Sequence, residues 1–275
     1  MKLPRAAAVV IATFWALSTP ACGCFSTGVK RPYPAVESSR LLETLTTRNE
    51  SANAFRAEST MDYRVGGERV KGTVLIAGKR GAQIRFNAEN PTGGSVAVDL
   101  ACNGFDFKYI NYNENCQLTG PCSENAIAQL LRVSLEPDEF MLLAIGGVPL
   151  IEHESAELKW ISNSGRERIT LHGIDGSKQI IELTGHKDQR WDVAMAKLLT
   201  PAGKVDWKLR NKDFKTLKSK DGKSFRVPSK TLFEQPLAKA DLLVEWKKRE
   251  INIELIDAMF EMEIPAGLSR CGAKK

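Results

Sequence analysis

The chain has 275 residues, 43% of them hydrophobic, and a formal net charge of +6. This length and apolar content are enough for one large β domain, or two small ones, with a buried core. The basic excess is spread over 204–230, 247–249 and the C-terminus. Because no RNA- or DNA-binding motif accompanies it, we predict a solvated basic surface and no nucleic-acid partner.

The first 21 residues have the parts of an export signal. Lys2 and Arg5 give a positive start, an apolar run covers 6–17, and small residues follow it. The run is too short to cross a bilayer as a helix, which takes about 20 apolar residues. We therefore predict a signal peptide over 1–21 that is absent from the mature protein.

Two cysteines follow this signal. Ala21-Cys22 and Gly23-Cys24 each resemble the lipobox of bacterial lipoproteins, in which the cysteine becomes the acylated N-terminus. We predict Cys22 as the palmitate-bearing lipid anchor because it lies nearer the apolar run, with Cys24 as the alternative. The competing interpretation is an ordinary secretory signal followed by disulfide cysteines. No Asp follows either cysteine, which by resemblance to enterobacterial sorting rules predicts the outer membrane.

The next segments change from linker to helix to sheet. Residues 22–34 carry Gly, Pro, Ser and Thr and predict a tether between membrane and domain. Leucines near helical spacing predict an amphipathic helix over 35–53. From Phe55 the apolar period changes to two, which predicts a meander of antiparallel strands joined by glycine turns. The predicted strands of this meander cover 55–63, 70–77, 83–88, 95–101 and 105–110.

The alternation breaks between 123 and 150. Ile127, Leu130 and Leu131 share one side of a helix predicted over 123–132. A second helix begins at Pro137, which suits the first turn, and ends at Gly146-Gly147. The second helix contains the sequence FMLLAI, which makes this helical insert strongly apolar.

Alternating strands resume after the insert and continue to about residue 255, with turns at glycines. No shift in composition marks a second domain. We predict a mainly β (α+β) fold, with about ten strands in one curved sheet and the helices covering its concave face. The predicted domain covers 35–268, and a basic tail follows at 269–275.

The remaining cysteines predict disulfides, since an exported chain meets an oxidising compartment. Cys116 and Cys122 flank QLTGP, which has the Gly-Pro composition of a turn, and we predict a local bridge between them. Cys102 and Cys271 form a second predicted pair that ties the C-terminus to the body. The spacing has no C-x-x-C pair and no nearby His, so no metal site is predicted.

Catalytic signatures are missing from the sequence. His153, His172 and His186 lie in separate turns or strand ends, there is no G-x-S-x-G elbow, and no nucleotide-binding glycine pattern occurs. We predict that the protein is not an enzyme and needs no cofactor.

The order of segments resembles a known superfamily. A lipobox-like cysteine, a tether, a helix and a strand meander are followed by the NPTGG loop, the LLAIGGVPL exit and a late LIDAMFEMEIPAG. This arrangement is similar to the LolA/LolB superfamily of lipoprotein carriers, and in particular to LolB-like outer-membrane lipoproteins of myxobacterial type. The resemblance covers about 35–268. It implies an unclosed antiparallel β-barrel whose hydrophobic cavity is plugged by helices.

The resemblance also implies a function. The cavity would shelter acyl chains of a lipoprotein or another lipid, in a periplasm-facing protein of the outer membrane that exchanges cargo with a soluble LolA-like carrier. The alternative is a non-catalytic envelope scaffold whose barrel is filled and which binds partners. Each predicted cavity-lining residue has core packing as its competing interpretation. These residues are Phe55, Met61, Val74, Ile84, Phe86, Leu130, Leu131, Phe140, Leu143 and Trp207.

Overall fold

The computed structural model describes residues 28–65, 68–90 and 93–272. The predicted signal peptide, both candidate anchor cysteines and residues 273–275 lie outside these ranges. Among the residues described, no helix is long and apolar enough to span a membrane.

A single sheet of 14 strands contains every strand described, in place of the ten predicted. Three helices accompany it: α1 (Ser38–Ser51), α2 (Glu124–Leu131) and α3 (Pro137–Ile145). The strands of the first half are β1 (Ala54–Val65), β2 (Glu68–Lys79), β3 (Gln83–Glu89), β4 (Val96–Asn103), β5 (Asp106–Asn111) and β6 (Cys116–Pro121). The strands of the second half are β7 (His153–Ile161), β8 (Arg166–Gly173), β9 (Lys178–Gly185), β10 (Trp191–Leu199), β11 (Val205–Lys218), β12 (Ser224–Gln235), β13 (Ala240–Ile251) and β14 (Ser269–Arg270).

The strand order explains why the helical insert lies across the sheet. β1 to β6 step outward to one side, and β7 to β13 step back from the far edge until β13 pairs antiparallel with β1. The chain therefore leaves β6 near one edge and must enter β7 at the opposite edge. Its 122–152 segment makes this crossing, and α2 and α3 are the parts of it that pack on the sheet.

Period-two alternation creates one buried face. In β1 to β3, for example, Ile76 lies opposite Ala57 on one neighbour and Phe86 on the other, and all three are buried. We call the helix-covered face concave. Within the described ranges the two edges remain unpaired with each other, since β7 pairs there only with β8 and β14 only with β6. The predicted unclosed, mainly antiparallel β-barrel with helices on the concave face is therefore confirmed.

The C-terminal segment crosses the outer face of the first half. Arg85 donates to the carbonyl oxygen of Met259 at 3.1 Å, and Lys108 donates to that of Met262 at 2.8 Å. Met262 also packs on Ala101. The chain then reaches β14, which pairs in parallel with β6. Residues 269–271, which the sequence assigns to a basic tail, are thus attached to β6.

The disulfide pairing differs from the predicted one. Cys102 is bonded to Cys122, with Cα atoms 5.6 Å apart, and Cys116 is bonded to Cys271, with Cα atoms 4.9 Å apart. The segment between Cys116 and Cys122 is the strand β6 rather than a turn. Six extended residues span about 20 Å, which puts the two cysteines beyond disulfide reach.

A glycine makes this strand possible. A Cβ atom on Gly120 would lie 2.8 Å from the ring of Phe107 on the neighbouring strand β5. The glycine that indicated a turn in the sequence thus serves close packing of an aromatic ring against a strand.

Candidate functional site

The predicted cavity-lining residues come together on the concave face. Nine of the ten are buried and belong to one apolar cluster formed by the sheet and all three helices. Trp207 is the exception: it is partly buried at the margin of the cluster and stacks on Phe233, with ring centroids 6.0 Å apart. The structure thus places these side chains together, with most of them in a packed core.

Helix α3 fills the middle of the concave face. The Phe140 ring meets Phe86 edge-on at 5.0 Å between centroids and lies 6.2 Å from Trp246. On α2, Ile127 and Leu131 are fully buried. The described residues form clefts of 330–500 Å³, and none of five such clefts is lined by any of the ten predicted cavity residues. In this structure the insert packs directly against the concave face.

Two buried arginines hold the C-terminal end of α3. Arg249 donates to the carbonyl oxygen of Ala144 at 2.7 Å, and Arg48 donates to that of Ile145 at 3.0 Å. These are carbonyls that a helix end leaves without intrahelical partners, and positive charge is favourable there. Burial lowers the pKa of Arg48 to about 10 and that of Arg249 to about 9. Both remain protonated at neutral pH and can act as cations.

The rest of the insert is held by side chains that bind its backbone. The Asp138 carboxylate at the start of α3 accepts from the amide of Ala82 in the β2–β3 turn at 3.1 Å. The Gln235 side chain binds the amide of Ser134 at 2.8 Å, and Gln179 donates to the carbonyl oxygen of Pro149 at 2.6 Å. The insert is therefore attached by polar contacts at Ser134, at both ends of α3 and at Pro149, and by the apolar contacts of its helices.

The segment 28–34, which we call the strap, packs against the sheet at the end where β7 turns into β8. The amide of Val29 donates to the carbonyl oxygen of Ser162 at 2.8 Å, and the indole of Trp160 donates to that of Val29 at 3.2 Å. Tyr33 packs edge-on against Trp191, with ring centroids 4.9 Å apart. The sequence predicts a tether over 22–34, and residues 28–34 of that segment are anchored to the sheet by aromatic side chains.

An ion pair lies under the strap. Arg31 Nε is 2.6 Å from Glu167 Oε1, and the Glu167 side chain is fully buried. The Arg31 guanidinium also lies over the Trp160 ring, 5.3 Å from its centroid. Burial, together with the charge of Glu167, raises the pKa of Tyr33 to about 12. A carboxylate inside an apolar face is costly unless it is paired, and here the strap provides the pair.

Sequence reasoning missed these polar residues, although one signal for Glu167 was present. Glu167, Ile169 and Leu171 alternate along β8, so the period that buries the two apolar residues also buries the glutamate. A charged residue in phase with a buried face indicates a specific partner. The partner itself, Arg31, is 136 residues away in the chain, and no local pattern identifies it.

The histidines do not converge. His172 lies 3.5 Å from Glu157, His186 lies 2.9 Å from Asp192, and His153 binds the carbonyl oxygen of Ile151. No group of three or more possible metal ligands occurs among the described residues.

The comparisons with known proteins identify the fold. No protein-family signature and no curated protein matches this sequence. A LolA superfamily protein from Nitrosomonas europaea superposes with a TM-score of 0.52 at 13% identity, covering 83% of this chain and 99% of that one. A DUF1329 family protein from Desulfovibrio piger superposes with a TM-score of 0.51 at 14% identity, covering 82% and 98%. The chain therefore has the LolA-like open-barrel fold that its sequence resembles.

Proposed function

We propose that this chain is a non-catalytic, periplasm-facing lipoprotein of the bacterial outer membrane whose concave face shelters acyl chains of a lipoprotein or lipid. The single observation that carries the proposal is the continuous apolar cluster between the sheet and the helical insert. The LolA-like fold supports it. A myxobacterial origin and exchange with a soluble LolA-like carrier belong to the same proposal.

Ligand entry requires the insert to move, and its construction favours this. α2 has 8 residues and α3 has 9, too few for either helix to be stable in isolation. Their position depends on apolar contacts that an acyl chain can replace, at about 0.8 kcal/mol for each methylene removed from water. A ligand shifts the population only by binding the open state more tightly than the closed one.

The second candidate is a scaffold with a permanently filled barrel. The full burial of Phe140 and Ile127 in the present state favours it. The two functions differ in one property, which is whether apolar ligands compete with α3 for the concave face.

A fluorescent fatty-acid binding assay tests this competition. Phe140→Leu replaces the ring that fills the concave face with a smaller side chain. We therefore expect this variant to bind the probe severalfold more tightly than the wild type does. Leu75→Ala is the matched control, because Leu75 is 41% exposed on the outer face. Absence of saturable binding to both the wild type and Phe140→Leu would sink the carrier proposal and favour the scaffold.

The anchor is tested separately by metabolic palmitate labelling. Cys22→Ser should abolish labelling if Cys22 carries the lipid. Continued labelling that is lost in Cys24→Ser would assign the anchor to Cys24, and labelling independent of both would refute the lipoprotein assignment.

A further inference from the structure

The side chains beneath the strap have the composition of a cation-binding site. Trp160 on β7, Glu167 on β8 and Trp191 on β10 form a recess at one end of the concave face. Strand β9 lies between β8 and β10. The recess contains a ring face and a buried carboxylate, the two groups that bind guanidinium and ammonium ions in proteins. Arg31 occupies it, and Tyr33 wedges between the two tryptophans, 6.2 Å from one and 4.9 Å from the other.

The recess is shaped for an occupant that is not part of the sheet. A Cβ atom on Gly185 would lie 2.4 Å from the Trp191 ring and 2.5 Å from the Tyr33 ring. The absence of a side chain at Gly185 therefore provides the space that the strap fills. The strap itself is not a strand of the sheet: it bends at 32–33, and its Val29 amide is bonded to the carbonyl oxygen of Ser162.

Glu167 depends on this occupant. It is fully buried, and Arg31 is the basic residue that forms an ion pair with it in the described part of the chain. If the strap leaves, the carboxylate must be protonated, hydrated or paired with another cation. An incoming cation with the same geometry restores the pair.

The surroundings of the recess indicate what such a cation would be attached to. The Arg31 side chain is 26% exposed, so the charged group lies at the margin, within reach of solvent. Leu183 and Val193, both fully buried, continue the row from Glu167 away from the β7 edge, since Leu183 pairs with Glu167 across β8 and β9 and with Val193 across β9 and β10. A charged head at the margin and an apolar tail behind it describe an amphiphile.

We propose that Trp160, Glu167 and Trp191 form a subsite for the guanidinium or ammonium head of a cationic amphiphile, and that Arg31 of the strap occupies this subsite in the ligand-free protein. The subsite fixes one end of the ligand whose tail enters the apolar cluster. This part of the inference rests on the proposed acyl-sheltering function, whereas the cation site stands without it.

Chemical rescue tests the subsite in the mature full-length chain. Arg31→Ala removes the cation from it and leaves Tyr33 in place, so we expect a lower Tm, which millimolar ethylguanidinium raises by several degrees and the neutral analogue ethylurea does not. Arg40→Ala is the matched control, because Arg40 lies on α1 and binds Gln189 at an exposed site. Rescue should vanish in Arg31→Ala/Glu167→Gln. Equal effects of the two compounds, or rescue that persists without Glu167, would overturn the subsite. Arg31→Gln serves the same purpose if Arg31→Ala does not fold.

A second arm separates the subsite from the proposed function. Below its micellar concentration, dodecylguanidinium should bind Arg31→Ala at least about tenfold more tightly than either ethylguanidinium or dodecanol, since it supplies both head and tail. If the dodecyl chain adds nothing to ethylguanidinium, the subsite stands and acyl sheltering fails. If dodecanol binds as tightly as dodecylguanidinium and Glu167→Gln changes neither, acyl sheltering stands and the subsite is refuted.

Discussion

At the scale of single residues, a chain of buried hydrogen bonds runs through the second half of the sheet. The Trp246 indole donates to Thr231 Oγ1 at 3.0 Å, the Thr231 hydroxyl donates to Asn211 Oδ1 at 2.9 Å, and Asn211 Nδ2 donates to the carbonyl oxygen of Val193 at 3.0 Å. All four residues are buried. These hydrogen bonds connect β13, β12, β11 and β10. Each buried polar group in the series has a hydrogen-bond partner on the next strand.

Thr231→Val breaks this chain at nearly constant volume. It leaves the Trp246 N–H and Asn211 Oδ1 buried without a partner, so we expect the free energy of unfolding to fall by about 1–3 kcal/mol. Urea denaturation measures the change. Thr216→Val is the control, since Thr216 lies on β11 with its side chain exposed. Equal effects of the two substitutions would show that the hydrogen bonds contribute nothing specific.

At the scale of elements, the C-terminal end of α3 is held by Arg249, which is buried among carbonyl oxygens and lies 5.0 Å from the Trp246 ring centroid. Its second guanidinium nitrogen binds the carbonyl oxygen of Pro228 on β12. One side chain on β13 thus joins the insert to the sheet, and α3 is oriented by it as well as by its apolar face.

Arg249→Met replaces the buried cation with an apolar chain of similar length. The substitution leaves the carbonyl oxygens of Ala144 and Pro228 without this donor, which costs about 1–3 kcal/mol of stability. We expect faster amide hydrogen exchange in α3, because Ala144 loses its contact with the sheet, with exchange in β1 and β2 almost unchanged. Mass spectrometry of peptides covering 137–147 makes the measurement. Arg56→Met, on the outer face of β1, is the control; acceleration there of the same size would refute the special role of Arg249.

At the scale of the whole molecule, the two disulfides differ in the length of the loop that each one closes. Cys102–Cys122 joins β4 to the start of the insert across 20 residues, whereas Cys116–Cys271 fastens the end of the chain to β6 across 155 residues. The second bond holds the C-terminal segment in place over the outer face.

The longer loop predicts the larger loss of stability. The entropy of the unfolded chain gives about 5 kcal/mol for Cys116→Ser/Cys271→Ser and about 3 kcal/mol for Cys102→Ser/Cys122→Ser. Guanidinium denaturation of the two double variants compares them. If Cys102→Ser/Cys122→Ser loses more, the local clamp on the insert outweighs loop closure.

The sequence predicts the parts of this molecule that depend on local order. Alternation reveals most strands, and helical spacing reveals α2 and α3, because those periods follow from backbone geometry. Cysteine pairing cannot be deduced in this way, since it depends on which strands become neighbours. The strap was missed because a short Gly- and Pro-containing segment has no period, and its contacts with Trp160 and Glu167 join distant parts of the chain.

The position of the strap has a mechanical consequence. With Cys22 as the anchor, only five residues separate the lipid from Gly28, the first strap residue. An extended chain of that length reaches about 20 Å, so the recess around Glu167 would be confined close to the bilayer surface. Tension on the anchor would then act first on the contacts of Val29 with Ser162 and Trp160, and next on Arg31. A pulling force on the lipid would then detach the strap and expose one end of the barrel. Lengthening the segment before Gly28 would reduce the force that reaches the strap.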